Sequence, residues 1–356
     1  MINTFFRLRD KLLIVLDEAT KKAAAESGKG ADAAGKAFEL EFAKHFNNIE
    51  YPHHYRDEDG KRPVEIASAL RKHFGDEKYE EISSHAKKAV EEYRKELHTR
   101  GALHHSKSPD IVAWTSQPSD HRSFTGVDDP NTSADVMFRT GKKFHAASLK
   151  YGAQPGARNP GMKDLSRLSG LNHSVIEDLI SAHDKERDKI MGDSISSGSL
   201  EKKHAQFKEL KNGSPEEKDK VERALAASVK HRQGVAAAFA NGFSRMGNVE
   251  KSNALRRLLS AEPTVHPELK VHYDTNKNKV NVGHPAEDFD RINRNVDRYE
   301  VENQGTTIVF HGVHKDGSKH RILSLGIKNG SSSPFTGIKG AAHIESGYKK
   351  ILAKSA

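Results

Sequence analysis

Ser133-Ala134-Asp135-Val136-Met137-Phe138-Arg139-Thr140-Gly141-Lys142-Lys143-Phe144-His145-Ala146-Ala147-Ser148-Leu149-Lys150 decides how this chain is read. The apolar positions Ala134, Val136 and Phe138, and the later run from Ala146 to Leu149, have the short lengths of strands, with Gly141-Lys142-Lys143 between them as a turn. Side chains alternate between the faces of a strand, so Ser148 and Lys150 share one face while Ala147 and Leu149 take the other. Asp135 opens the first strand, and pairing the two as a hairpin brings it near Lys150.

Outward from the hairpin the pattern changes. Before it, the first hundred residues read as helical, with Phe38, Phe42 and Phe46 four apart on one stripe and a second helix expected over Lys78 to Leu97. Glu39 stands at the border of that apolar stripe, where a carboxylate could reach the rim of a sheet. Ile111 to Trp114 reads as another strand, with Trp114 a core residue by its apolar neighbours and Phe124 a candidate for base stacking. After the hairpin, Leu171 to Leu259 mixes acids and bases with little proline, which predicts helices broken near Ser194 to Ser199 and Asn212 to Pro215. Strands return at Lys270 to Tyr273, Lys279 to Val282, Thr306 to Val313 and His320 to Ile327, with Asp316-Gly317 as a hairpin turn. Three regions are therefore expected: a core over 1–170, a helical insertion over 171–262, and a basic C-terminal β-containing unit over 263–356.

Composition narrows the function classes. The 356 residues include no cysteine, which excludes disulfides and thiolate-held metals, so any metal must be held by oxygen or imidazole. Hydrophobic residues are 35% and charged ones 30%, and no run approaches the ~20 apolar residues of a membrane span. The apolar segments near the N-terminus are broken by charges and followed by no small-residue cleavage site, so an intracellular chain without a membrane partner is expected. The formal net charge of +9 suits a polyanionic partner, and between Asn303 and Ile344 Asp316 is the lone acid against five lysines and arginines. His53-His54 and His104-His105 diverge on strand or helix alike, there is no His-Glu-x-x-His motif, and no phosphate-binding Gly-x-x-x-x-Gly-Lys-Ser/Thr loop is present.

Phosphodiester hydrolysis needs a hard divalent cation held by carboxylates, and a nearby lysine can stabilise the developing negative charge. Glu39 on the first helix, Asp135 on one strand and Lys150 on the next stand in that order. The segments Gly35-Lys36-Ala37-Phe38-Glu39, Ser133-Ala134-Asp135-Val136-Met137 and Ala147-Ser148-Leu149-Lys150-Tyr151-Gly152 resemble the PD-(D/E)XK nuclease superfamily over roughly residues 30 to 170. The resemblance implies a restriction-endonuclease-like α/β fold, a mixed sheet flanked by helices. It also implies hydrolysis of DNA with Mg2+, replaceable by Mn2+, Asp135 and Glu39 as metal ligands, and Lys150 as the catalytic lysine.

One position departs from that pattern: Ser148 stands where an acid is expected two residues before the lysine. Some restriction enzymes of the superfamily carry Ser-x-Lys and draw the acid from a following helix. Asp164 is the candidate substitute here, with Glu177 a weaker one. Pro109-Asp110 is a literal Pro-Asp, but its carboxylate lies 39 or more residues before the lysine, too long an excursion for adjacent strands. Lys142, Lys143, Tyr151, Arg158, Lys163, Lys328 and Lys339 are the candidate DNA contacts, and Ser119-Asp120-His121 could support the site from behind. Gly326 to Ser333 reads as a basic loop whose amides could cradle a phosphate. Double-stranded DNA is the expected partner, with a homodimer called for by paired cuts. The alternative is a non-catalytic DNA-binding or assembly protein on a degenerate nuclease fold.

Overall fold

The computed structural model describes residues 30–54, 63–103, 107–115, 118–129, 132–152, 160–195, 198–330 and 333–354. They form a mixed α/β chain of two compact units. The first takes residues 1–155 and 263–284, the second 156–262 and 285–356. Arg158, His104 and His105 lie outside the described residues.

The first unit is a sheet in the order β1 (His53–His54), β2 (Ile111–Trp114), β3 (Val136–Thr140), β4 (Lys143–Gly152), β5 (Glu268–Asp274) and β6 (Lys279–Gly283). β1 is parallel to β2, the pairs β2–β3 and β3–β4 are antiparallel, β5 is parallel to β4, and β6 is antiparallel to β5. The tight turn at Gly141, with φ 61°, closes the expected β3–β4 hairpin. The helices before and between these strands are α1 (Gly30–Phe46), α2 (Pro63–Phe74), α3 (Asp76–Thr99) and α4 (Pro118–Thr125).

Alternation along the strands sorts the sheet into two faces. Val112, Trp114, Val136, Phe138, Ala147, Leu149, Leu269, Val271 and Tyr273 pack with the Phe38, Phe42 and Phe46 stripe of α1 and with Tyr93 of α3. The stripe meets the sheet through ring contacts, Phe46 edge-on to Phe138 at 4.9 Å and Phe42 to Tyr93 at 5.5 Å. On the opposite face Ala113, Met137 and Ala146 pack with Phe124 of α4. Phe124 is buried edge-on to Phe144, so it is not a base-stacking platform.

α1 also buries Glu41, which accepts hydrogen bonds from Tyr51 (2.6 Å), Tyr79 (2.8 Å) and Ser83 (2.7 Å). Burial opposes its charge, but the three hydroxyl donors hold its carboxyl below the usual range. Glu41→Ala should lower the unfolding free energy by roughly 3 kcal/mol, measured by denaturant titration, because two buried hydroxyls and one half-buried one lose their acceptor.

The second unit places α5 (Met162–Leu168), α6 (His173–Met191), a 3-10 turn at Gly192–Ser194, α7 (Leu200–Leu210), α8 (Pro215–Arg245) and α9 (Asn248–Leu258) with the antiparallel sheet β7 (Val296–Gln304), β8 (Thr307–His314), β9 (Lys319–Asn329) and β10 (Ile338–Ile344). α10 (Pro285–Asn295) and α11 (Ser346–Lys354) complete it. The expected helix breaks are real: Ser199 caps α7, and Ser214 with Glu217 forms a capping box ahead of Pro215. Val235, Phe239 and Phe243 of α8 pack against Ile308, Phe310, Ile322 and Leu325 of the sheet. Among the described residues no helix is long and apolar enough to cross a membrane.

Four expectations are corrected. Lys270 to Tyr273 and Lys279 to Val282 belong to the first unit rather than to a C-terminal one, because β5 pairs with β4 along seven residues. The helical region is no separate domain either, since its apolar faces are completed by the C-terminal sheet. The boundary at 170 likewise moves back to about 155, as α5 packs within the second unit. Finally, Gly326 to Asn329 is strand, not loop, and the Gly330 amide donates to the Gly337 carbonyl, so that amide is taken.

Candidate active site

At its open end the β3–β4 hairpin parts. The Asp135 amide donates to the Ala147 carbonyl, and beyond that pair the Leu149 amide has no β3 partner. The Asp135 carboxylate takes its place, accepting from Leu149 N–H at 2.6 Å, and Lys150 Nζ lies 3.6 Å from the same oxygen. Lys150 is 39% exposed and Asp135 21%, so the pair faces solvent from a protected corner.

The segment entering Asp135 is held on every side. Ala134 O accepts from Thr115 Oγ1 and meets His121 Nε2, both at 2.9 Å. Glu268 of β5 accepts from Thr132 Oγ1 (2.8 Å), Ser133 N (3.1 Å) and Ser133 Oγ (2.6 Å). His121 thus supports the site from behind, as the sequence allowed. Glu268 went unnoticed there, because nothing in sequence ties it to Ser133.

Glu39 joins this corner from the helix side. Its Oε2 accepts from the indole N–H of buried Trp114 at 3.3 Å. Enclosure by protein atoms pushes its carboxyl up to about 8, with the nearby Asp135 charge adding to the rise and Lys150, Trp114 and Lys36 opposing it. Asp135 is also raised, first by burial, against Lys150 and the Leu149 amide. Two crowded carboxylates that raise their own proton affinity form a donor set that a hard divalent cation would relieve, since magnesium takes few protein oxygens and keeps its waters. The residues therefore fit such an ion. Among the described residues no three His, Asp or Glu side chains converge as a ligand set.

The other sequence candidates fall in different places. Ser148 is buried on the Lys150 face, in register with Lys270 of β5. Asp164 belongs to the second unit and pairs with Arg167 at 3.2 Å, and Glu177, also of that unit, pairs with His173. Neither is brought to Asp135 within the first unit. Asp110 sits at the far end of the strands and accepts from the Gly141 amide at 2.7 Å, a turn-stabilising role. Lys142 and Lys143 occupy that same turn, seven residues of strand or about 23 Å from Lys150, so they do not flank the site. Tyr151 points to the helix face, packing on Phe38 at 4.9 Å with its hydroxyl 3.0 Å from His85, and burial pushes its phenol up to about 12. It is half-buried and packs against the core on that face.

Exposed Lys163 lies on α5. Lys328 and Lys339 are exposed register partners on β9 and β10. Among the described residues no ion pair involves either, whereas Lys319 pairs with Glu300.

Sequence reading also missed Lys270. Enclosure lowers its amine to about 8, Lys150 lowers it further, and Glu268 and Asp135 oppose. No family model matches the chain, and neither a curated protein nor a solved structure matches it.

The Glu39 shift has a checkable consequence. Its pKa rises from 4.5 in the unfolded chain to about 8 in the fold, so the stability it contributes is complete below the lower value and is lost as pH rises through the upper one. In chelator, the wild-type melting temperature should fall by a few degrees between pH 6 and 9, and Glu39→Gln should remove much of that fall. Added Mg2+ should restore the wild type most at the alkaline end and the variant little. Identical pH profiles for the two proteins would refute the assignment.

Proposed function

We propose that this chain is a magnesium-dependent endonuclease of double-stranded DNA, built on a restriction-endonuclease-like core, with Mn2+ able to replace Mg2+. The observation that carries the reading is the convergence of Glu39, Asp135 and Lys150 at one corner of the first sheet. They come from three separate elements, and no packing requirement asks an acid, a second acid and an amine to meet there. The surrounding mixed sheet with helices on both faces accords with that core.

Glu39 and Asp135 would hold the cation, which would supply Lewis acidity toward the scissile phosphate and its attacking water. The protein's own work is more specific. Trp114 orients Glu39, and the Leu149 amide with Lys150 fixes Asp135, so both acids are set before substrate arrives. Lys150 places a positive charge at the protected corner, where it stabilises the charge accumulating on the phosphoryl oxygens. The Lys328–Lys339 pair offers a second, sequence-independent phosphate contact. Cutting both strands in one event would call for a homodimer.

Incubated with plasmid and Mg2+, the protein should nick or linearise it. Asp135→Ala should reduce cleavage to background and Lys150→Ala should slow it by about 10²-fold or more. Undiminished cleavage in both variants would sink the assignment, and an RNA panel run alongside separates the two nucleic acids. A second reading, a non-catalytic DNA-binding or assembly protein, is favoured by the buried Ser148 in place of an acid. Salt-sensitive DNA binding with no cleavage at any metal would select it.

A further inference from the structure

Ser148 and Lys270 are register partners on the parallel pair β4–β5. The pleat puts both on the sheet face that carries Lys150 and Asp135, since the residues between them, Ala147, Leu149, Leu269 and Val271, fill the opposite, helix-packed face. We propose that Lys270 is a second catalytic cation of this site, contacting the scissile phosphate on the side where an acid at position 148 would have drawn in a metal ion. The inference rests on the nuclease reading above and specifies how that site works without the missing acid.

An acid two residues before the lysine serves a phosphodiesterase by holding positive charge near the phosphate in the form of a bound cation. Ser148 cannot hold one: it is neutral and 2% exposed. Its strand neighbour supplies the charge directly as an ammonium. Transition-state stabilisation depends on positive charge fixed close to the developing negative oxygens, whether that charge is a metal or a side chain.

The flanking Leu269 and Val271 carry the core contacts of the strand, so the lysine between them stands on the other face, beside Ser148. Lys270 is half-buried, and that enclosure disfavours its charged form. Amines kept in such surroundings concentrate at functional sites. Its charge is felt together with those of Lys150 and Asp135, which places it in the same electrostatic neighbourhood as the candidate catalytic pair.

The experiment compares the full-length wild type with Lys270→Met, Lys270→Arg and Asp135→Ala, measuring single-turnover plasmid cleavage in Mg2+, KM, Mn2+ binding by electron paramagnetic resonance, and thermal melting. Lys270→Met should slow cleavage about 10²-fold with a smaller change in KM, and Lys270→Arg should recover at least tenfold of that loss. Mn2+ binding should survive in both lysine variants and fail in Asp135→Ala. Lys270→Met should melt no lower than the wild type, because it removes an enclosed charge. If Asp135→Ala is inactive while Lys270→Met cleaves within about threefold of wild type, Lys270 is not catalytic and the nuclease reading stands. Two lysine variants that are equally slow and both melt below the wild type would assign the residue to packing and overturn the inference. A wild type that leaves every DNA intact overturns both readings.

Discussion

Where β3 and β4 part, one backbone amide decides the geometry of the corner. Leu149 N–H would face an empty ladder position, and the Asp135 carboxylate fills it at 2.6 Å. An amide left without an acceptor in a half-buried corner is costly, so the contact is strongly favoured and leaves Asp135 little rotational freedom. With one oxygen committed to the amide and to Lys150, the acid is aimed rather than mobile. Glu268, Thr115 and His121 then anchor residues 132–134, so the backbone leading into Asp135 is as constrained as its side chain.

Two glutamates on α1 show how environment separates structure from chemistry. Glu41 is surrounded by three hydroxyl donors and kept below its ordinary pKa, which makes it a buried ionic anchor for Tyr51, Tyr79 and Ser83. Glu39, two residues away, has one indole donor and an acidic neighbour, and is raised to about 8. The same helix thus holds one acid charged through its donors and raises the other beside a second acid and a lysine, and perturbed groups of that kind concentrate at functional sites.

The chain crosses between its two units three times, leaving the first after β4, returning for β5 and β6, and leaving again at Pro285. β5 supplies the parallel neighbour of β4 and, with it, Glu268 and Lys270. Residues more than a hundred positions beyond Lys150 therefore build the near surroundings of Ser148. The departure from the acid-x-Lys pattern gains a physical context from this pairing, because the strand that closes the sheet brings an amine to the place beside the serine.

Local pattern was enough to foresee the β3–β4 hairpin, the Phe38–Phe42–Phe46 stripe, the helix breaks near Ser194 to Ser199 and Asn212 to Pro215, and the approach of Asp135 to Lys150. Each depends on alternation, helical period, or hydrogen bonds within a few residues. The same reasoning misplaced Tyr151, since nearness to Lys150 in sequence does not say that the next residue turns to the helix face. It could not separate Asp164 from Glu268 and Lys270, because helices and loops of unknown path lie between β4 and β5. Hydrophobic periodicity says that a strand buries one face but not which strand lies beside it. The hairpin and its lysine were thus determined by the sequence alone. The partner of Ser148, the raised carboxyl of Glu39 and the division into two units were decided by tertiary pairing, where desolvation and long-range charge first come into play.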